Sequence, residues 1–210
     1  GGSGKSTFAE RIRDGLSCSC EIMRLDCYYF DQGGKPFEER TKVNYDSPEI
    51  FDFDEMLEDI RLLLDGKPVT RKGYNYAEHR RDDSEELMYP PEVLIIEGIH
   101  VFYDDRICDI MNLKLFIKVD SDICLLRRIA RDMNERGRSL ESISEQYKAT
   151  VKPMREKYID KYIDKADVVV MRGGMNEQAL KTTISYLKSC VKEQRPAESE
   201  KNESDGNDSE

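Results

Sequence analysis

The sequence predicts a three-layer α/β fold, a mainly parallel β-sheet covered by helices on both faces. Three observations predict it. Short apolar runs alternate with amphipathic helical stretches along the chain. The runs are β-branched or Leu-rich and lack the polar/apolar alternation of half-exposed strands, as strands buried on both faces do. The chain opens on a glycine-rich turn that runs directly into a helical pattern, the junction at which open α/β sheets receive anions.

The elements follow in order. Phe8, Ile12 and Leu16 recur every four residues and mark the first helix. Ile22–Leu25 reads as a strand. Phe53, Met56, Leu57, Ile60, Leu63 and Leu64 form a helical stripe that stops at Gly66, with Asp52 and Glu55 spaced as a capping box. Val93–Ile96, Leu113–Val119 and Asp167–Val170 are the remaining strands. Ile123, Leu126, Ala130 and Met133 mark a helix opening at Ser121, with its apolar stripe expected to face the core. Leu140, Ile143, Tyr147, Val151 and Met154 continue the helical pattern, and Pro153 is expected to bend or restart it. Ala179, Ile184 and Leu187 indicate a last helix. Two polar stretches, Gln32–Asp46 and Thr70–Tyr89, are too long for plain connectors and are expected to carry function.

The 210 residues suffice for one domain, placed at 1–190. Residues 191–210 carry seven negative and three positive side chains and few apolar ones, and are expected to be disordered. With 33 basic and 43 acidic residues the net charge is −10, which disfavours nucleic acid and anionic membrane as partners. No apolar run reaches the length of about 18 residues that a membrane-spanning helix needs. The cysteines, Cys18, Cys20, Cys27, Cys108, Cys124 and Cys190, form no CxxC pair; they read as packing residues in a reducing compartment.

The chemistry starts at Gly1-Gly2-Ser3-Gly4-Lys5-Ser6-Thr7, the downstream part of G-x-x-x-x-G-K-[ST]. Glycines let amide N–H groups turn inward around phosphate oxygens. Lys5 reaches the β and γ phosphates, and the Ser6 hydroxyl suits Mg²⁺. The motif's first glycine and the strand that launches the loop belong upstream of Gly1, and a chain beginning at Gly1 is expected to be less stable and less active than one carrying them. Glu97 ends an apolar strand, the position from which such proteins hold Mg²⁺ through water. Asp26 follows another strand, and in a parallel sheet both carboxyl ends reach the same edge, where ligands bind. A carboxylate there suits proton acceptance from an attacking hydroxyl, and Tyr28 and Tyr29 serve either as a pocket wall or as core. Arg127, Arg128, Arg131, Arg136 and Arg138 are clustered, read from the residues alone as a solvated basic face paired with Asp132 and Glu135.

The ordered set GGSGKST (1–7), LDCYY (25–29), NYDSPEIFD (44–52), YNYAEHRR (74–81), VLIIEGI (93–99), RRIARDMNERGRS (127–139) and QYKATVKPM (146–154) resembles the uridine–cytidine kinases, within the phosphoribulokinase/uridine kinase group of P-loop kinases. The resemblance spans residues 1 to about 190. It implies a P-loop kinase fold with a nucleoside-binding insertion and an Arg-rich lid, and Mg·ATP-dependent phosphorylation of the 5′-hydroxyl of uridine, and of cytidine, to UMP and CMP. Gly2, Ser3, Gly4, Lys5, Ser6 and Thr7 then hold ATP, and Ser6 and Glu97 hold Mg²⁺. Asp26 is the base, and Asp46 holds the ribose hydroxyls. Tyr29, Tyr45, Tyr74, His79, Arg128, Arg138 and Gln146 contact the nucleoside, with Tyr74 and His79 at the pyrimidine. Arg131 and Arg136 meet the transferring phosphoryl group. His100 receives no role. Asn75 departs from the family's usual Asp; if that position only turns the loop, Asn serves as well, and if a charge there orients a base or an arginine, substrate preference is expected to differ. A cytoplasmic tetramer restrained by CTP or UTP is also implied. The alternatives are a kinase of another small alcohol, such as ribulose phosphate or pantothenate, and a catalytically silent nucleotide sensor or inert scaffold.

Overall fold

The structure, a computed structural model, describes residues 1–194. In chain order it contains α1 (Lys5–Gly15), β1 (Cys20–Arg24), a 3₁₀ turn (Leu25–Tyr28), α2 (Phe37–Arg40), α3 (Phe53–Leu64), β2 (Val69–Asn75), β3 (Arg80–Met88) and β4 (Val93–Glu97). There follow α4 (Asp105–Cys108), β5 (Leu115–Lys118), α5 (Ser121–Arg136), α6 (Leu140–Gln146), α7 (Lys152–Lys157), β6 (Val168–Met171) and α8 (Glu177–Gln194).

β1 pairs in parallel with β4, placing Arg24 opposite Glu97, and β5 pairs in parallel with β6. A cavity of about 1170 Å³ lies between the pairs, lined along β4 and β5 and by Phe8, Ile12 and Leu187 of the flanking helices. Among the described residues no strand bridges the two pairs. The main core gathers Met23 of β1 and Leu25 just after it with Met56, Leu57, Ile60 and Leu63 of α3. Each such side chain contributes about 1.5–3 kcal/mol on burial, so the α3 stripe anchors the polar segments before and after it. A second cluster, Phe8, Ile12, Val170 and Leu180, ties α1 to β6 and α8. All six cysteines are free, and no described helix is long and apolar enough to cross a membrane.

The structure corrects several expectations. Thr70–Tyr89, read only as a long polar stretch with no strand assigned, is mostly an antiparallel hairpin, β2 with β3. Charged residues across the ladder hid it: Lys72 opposes Glu85 and Arg71 opposes Glu86. Arg71 also donates to the Ile22 carbonyl (3.0 Å), bolting the hairpin to β1. At Pro153 the helix restarts, as expected: a π-turn over Tyr147–Val151 interrupts the pattern before it, and Pro153 sits in the first turn of α7, where a missing N–H costs little. Asp52 caps α3 by accepting from the Glu55 amide (2.9 Å), but the box does not close, because the Glu55 carboxylate pairs with Arg81. α8 runs on to Gln194 with Val191 buried, so the helix enters the segment expected to be disordered; residues 195–210 lie outside the described residues.

The largest correction concerns α5. Its apolar stripe faces outward: Ile123, Leu126 and Met133 are 39%, 63% and 46% exposed. The inward face carries Arg128 and Asp132, the latter fully buried. The basic face is therefore only partly solvated: Arg128 turns inward, while Arg131 and Arg136 pair with Asp132 and keep about a third of their side chains in water.

Candidate active site

The phosphate loop is shaped by backbone. Gly2 and Gly4 both have positive φ (83° and 86°), and Gly4 is the N-cap residue of α1. A Cβ on Gly4 would lie 2.9 Å from the Gly174 amide nitrogen, and one on Gly174 would overlap the Gly4 carbonyl oxygen. The loop after β6 thus presses on the cradle through two glycines, a contact invisible in sequence until the chain is folded. The free amides at the N-terminus of α1 and the helix dipole favour an anion there.

At the C-terminal edge of β4 the Ser6 hydroxyl donates to Glu97 Oε1 (3.0 Å), and Lys5 Nζ lies 3.6 Å from Oε2. Arg24 Nε is 3.6 Å from Oε1, a neighbour that sequence reasoning missed. Glu97 Oε2 is buried without a hydrogen-bond donor among the described residues. A hydroxyl and a carboxylate with an unspent buried oxygen are a hard-oxygen donor set, and they fit a hydrated Mg²⁺.

Two residues beyond β1, Asp26 sits in the 3₁₀ turn and accepts a hydrogen bond from the Tyr76 hydroxyl (2.5 Å). Asp46 accepts from Thr150 Oγ1 (2.9 Å) and lies 3.8 Å from Arg128 Nη1. Thr150 was not foreseen. His100, unassigned from sequence, is fully buried between the Tyr162 hydroxyl (2.9 Å) and the Asp46 carbonyl (2.8 Å), so it fixes the backbone of a candidate substrate residue. Burial pushes its pKa down to about 4. An unfolded histidine binds its proton near pH 6.5, so the unfolded state gains protons first as pH falls. Stability from this group is present above pH 6.5 and is lost toward pH 4, on the order of 3 kcal/mol. Urea unfolding at pH 7 and pH 4.5 should therefore show a smaller acid loss for His100→Gln than for the parent; equal losses would exclude His100 as the source.

The hairpin tip closes the other side. Tyr45 stacks on His79 (centroids 5.1 Å, 22°), and Tyr74 lies beside Tyr29 (4.7 Å). Tyr29 itself is buried against Phe51 (4.3 Å) and Tyr28 is buried with it, so both are core beneath the pocket and not its exposed wall. Asn75 Oδ1 accepts from the amides of Ala77 and Glu78, both at 3.0 Å: it turns the tip, the role for which Asn and Asp are equivalent. Burial first, and then Arg138, Arg40 and Arg136, lower the pKa of His79 and keep its ring neutral at pH 7.

The arginines converge on Asp132. Arg131 donates to Oδ1 (2.8 Å), Arg136 lies 3.4 Å away, and Arg128 and Arg138 approach Oδ2 at 3.5 and 3.6 Å. Gln146 Oε1 accepts from Arg128 (3.0 Å) and Arg138 (2.6 Å), which joins three sequence-predicted residues. Four guanidinium groups against one buried carboxylate leave a surplus of positive charge beside the phosphate loop.

What this arrangement does best is hold phosphate oxygens and offset their charge, which places the chain among the P-loop phosphotransferases. The model of the Phosphoribulokinase / Uridine kinase family matches residues 1–179, and the chain belongs to that family. It is 41% identical over 192 residues to the uridine kinase of Ligilactobacillus salivarius (strain UCC118), covering 91% of this chain and 90% of the other. To the uridine kinase of Streptococcus uberis (strain ATCC BAA-854 / 0140J) it is 42% identical over 193 residues, covering 91% and 92%. Among solved structures, the YGR205w protein shares the fold with a TM-score of 0.55 at 13% identity, covering 80% of this chain and 83% of that one.

Proposed function

We propose that this protein transfers the γ-phosphoryl group of ATP to the 5′-hydroxyl of uridine, and also of cytidine. The observation that carries this reading is identity above 40% with uridine kinases along nine-tenths of their length. The site's two halves support it, one suited to a triphosphate and the other an aromatic pocket with hydrogen-bonding groups. Lys5 and the loop amides hold the β and γ phosphates. Ser6 and, through water, Glu97 hold Mg²⁺, which when bound supplies charge neutralisation between the phosphates. Asp26 accepts the proton of the attacking hydroxyl, and Asp46 orients the ribose. Arg131 and Arg136 offset charge on the transferring group, while Arg128, Arg138 and Gln146 order the nucleoside. The transfer is an in-line displacement without a covalent enzyme intermediate. Closure of the arginine segment excludes water from the phosphoryl group. A cytoplasmic homo-oligomer is part of this reading.

The test is ADP release at fixed Mg·ATP with uridine, cytidine, adenosine, ribulose 5-phosphate or pantothenate offered separately. Release with the two pyrimidine nucleosides alone is expected; release with none of them, despite ATP binding, would favour a nucleotide sensor. A neutral His79 can donate to uracil O4 or accept from cytosine N4 by choosing its tautomer. His79→Ala is accordingly expected to raise the uridine KM about tenfold, the worth of one hydrogen bond, with the ATP KM nearly unchanged. Steady-state kinetics in both substrates checks this, and equal shifts in the two constants would remove His79 from base reading.

A further inference from the structure

Tyr76 stands at a junction that the proposed mechanism leaves unused. Its hydroxyl donates to Asp26 Oδ2 (2.5 Å), and among the described residues no other hydrogen bond holds that carboxylate. Its ring carries the Arg136 guanidinium 4.6 Å from the centroid. Arg136 lies 3.4 Å from Asp132, around which Arg128, Arg131 and Arg138 are gathered. Tyr74 meets the Tyr76 ring edge-on (5.1 Å) from the hairpin side. One side chain from the hairpin tip thus touches the candidate base, a candidate phosphoryl-binding arginine and the aromatic pocket. The ring is 42% exposed, so it contributes little to the core.

We propose that Tyr76 is a positioning residue for the reaction: its hydroxyl fixes the Asp26 carboxylate through one oxygen and leaves the other for the acceptor hydroxyl. Its ring carries the position of the arginine cluster to the base through Arg136. The physical basis is geometric. A carboxylate on a short turn rotates freely about its side-chain torsions unless something holds it, and proton transfer is efficient only within about 3 Å of the hydroxyl it serves. A charge-assisted hydrogen bond supplies that restraint. The cation–π contact makes the restraint depend on where the arginine segment sits, so base geometry and lid position change together.

This inference rests on the reading of Asp26 as the base, and the experiment separates the two. Tyr76→Phe keeps the ring and removes the hydroxyl. With uridine and Mg·ATP, kcat is expected to fall about tenfold, the scale of one hydrogen bond to a charged group. The uridine and ATP KM values should stay within twofold and Tm should not move. In an Asp26→Asn background the same substitution should cost nothing further, because there is no carboxylate left to position. Tyr76→Leu, which also removes the ring, should lower kcat beyond Tyr76→Phe, and in that background Arg136→Lys should cost less than it does alone. A kcat for Tyr76→Phe equal to or above the parent's, with Asp26→Asn inactive, would overturn the positioning role and leave the base standing. Near-parental turnover by Asp26→Asn would instead overturn the base, and this inference with it.

Discussion

Asp26→Asn is expected to bind Mg·ATP with near-parental affinity and to turn over at least about a hundredfold more slowly, the lower end of what a positioned general base contributes. The substitution is nearly isosteric, and among the described residues the Asp26 carboxylate is hydrogen-bonded to Tyr76 and to none of Gly2–Thr7, so the cradle and the Ser6–Glu97 pair should be untouched. The amide can still accept from the Tyr76 hydroxyl, so the local hydrogen bond survives while the proton acceptor is lost. ATP binding by calorimetry and single-turnover phosphorylation of uridine measure the two halves separately. Turnover within about threefold of the parent would remove Asp26 from the chemistry; loss of ATP binding would show that it supports the cradle rather than the acceptor.

Asp132→Asn should do the greatest damage away from the reacting atoms. Asp132 has no exposed surface, and four guanidinium groups lie within 3.6 Å of its carboxylate. Removing one side of a buried ionic cluster leaves like charges facing each other without compensation. The usual cost is about 3–5 kcal/mol. Arg131, Arg136 and Arg138 keep roughly a third of their side chains in water and can turn outward, so the lower figure applies here. About 3 kcal/mol corresponds to a fall in Tm of about 9 °C for a domain of this size. Released arginines also forfeit their preorganisation toward phosphate oxygens, so kcat should fall more than tenfold with a smaller change in KM. Thermal unfolding and steady-state kinetics on the same preparation check both. A Tm within 2 °C of the parent together with an unchanged kcat would show that the arginines are ordered by something else.

Fluent local patterns explain what could be read early. The Phe53–Leu63 stripe and its Asp52 cap needed only neighbours within one helix, and both are present, while Leu64, expected in the stripe, is 66% exposed at the helix end. The phosphate loop is likewise local, because positive-φ glycines and the start of a helix are written in consecutive residues. That Asp26 and Glu97 share an edge followed from topology: β1 and β4 run parallel, and their carboxyl ends lie side by side. The hairpin was missed because charges on both of its strands mask the strand pattern, and cross-strand pairs such as Lys72 with Glu85 become favourable only once the register exists.

Read in order, the residues already specify the kind of chemistry available: a phosphate cradle, a carboxylate at each of two strand ends, and a group of arginines ahead of Gln146. Which way α5 faces is settled only by its packing. A period of 3.6 groups side chains on a common face but does not say which face turns inward. Here a buried carboxylate with several guanidinium partners faces inward, while the Ile123, Leu126 and Met133 stripe stays at the surface. The same holds for His100 beneath Asp46, Thr150 on its carboxylate, Gly174 against Gly4 and Tyr76 on Asp26. Each is a contact between residues dozens of positions apart, whose energy exists only after the chain between them has been folded.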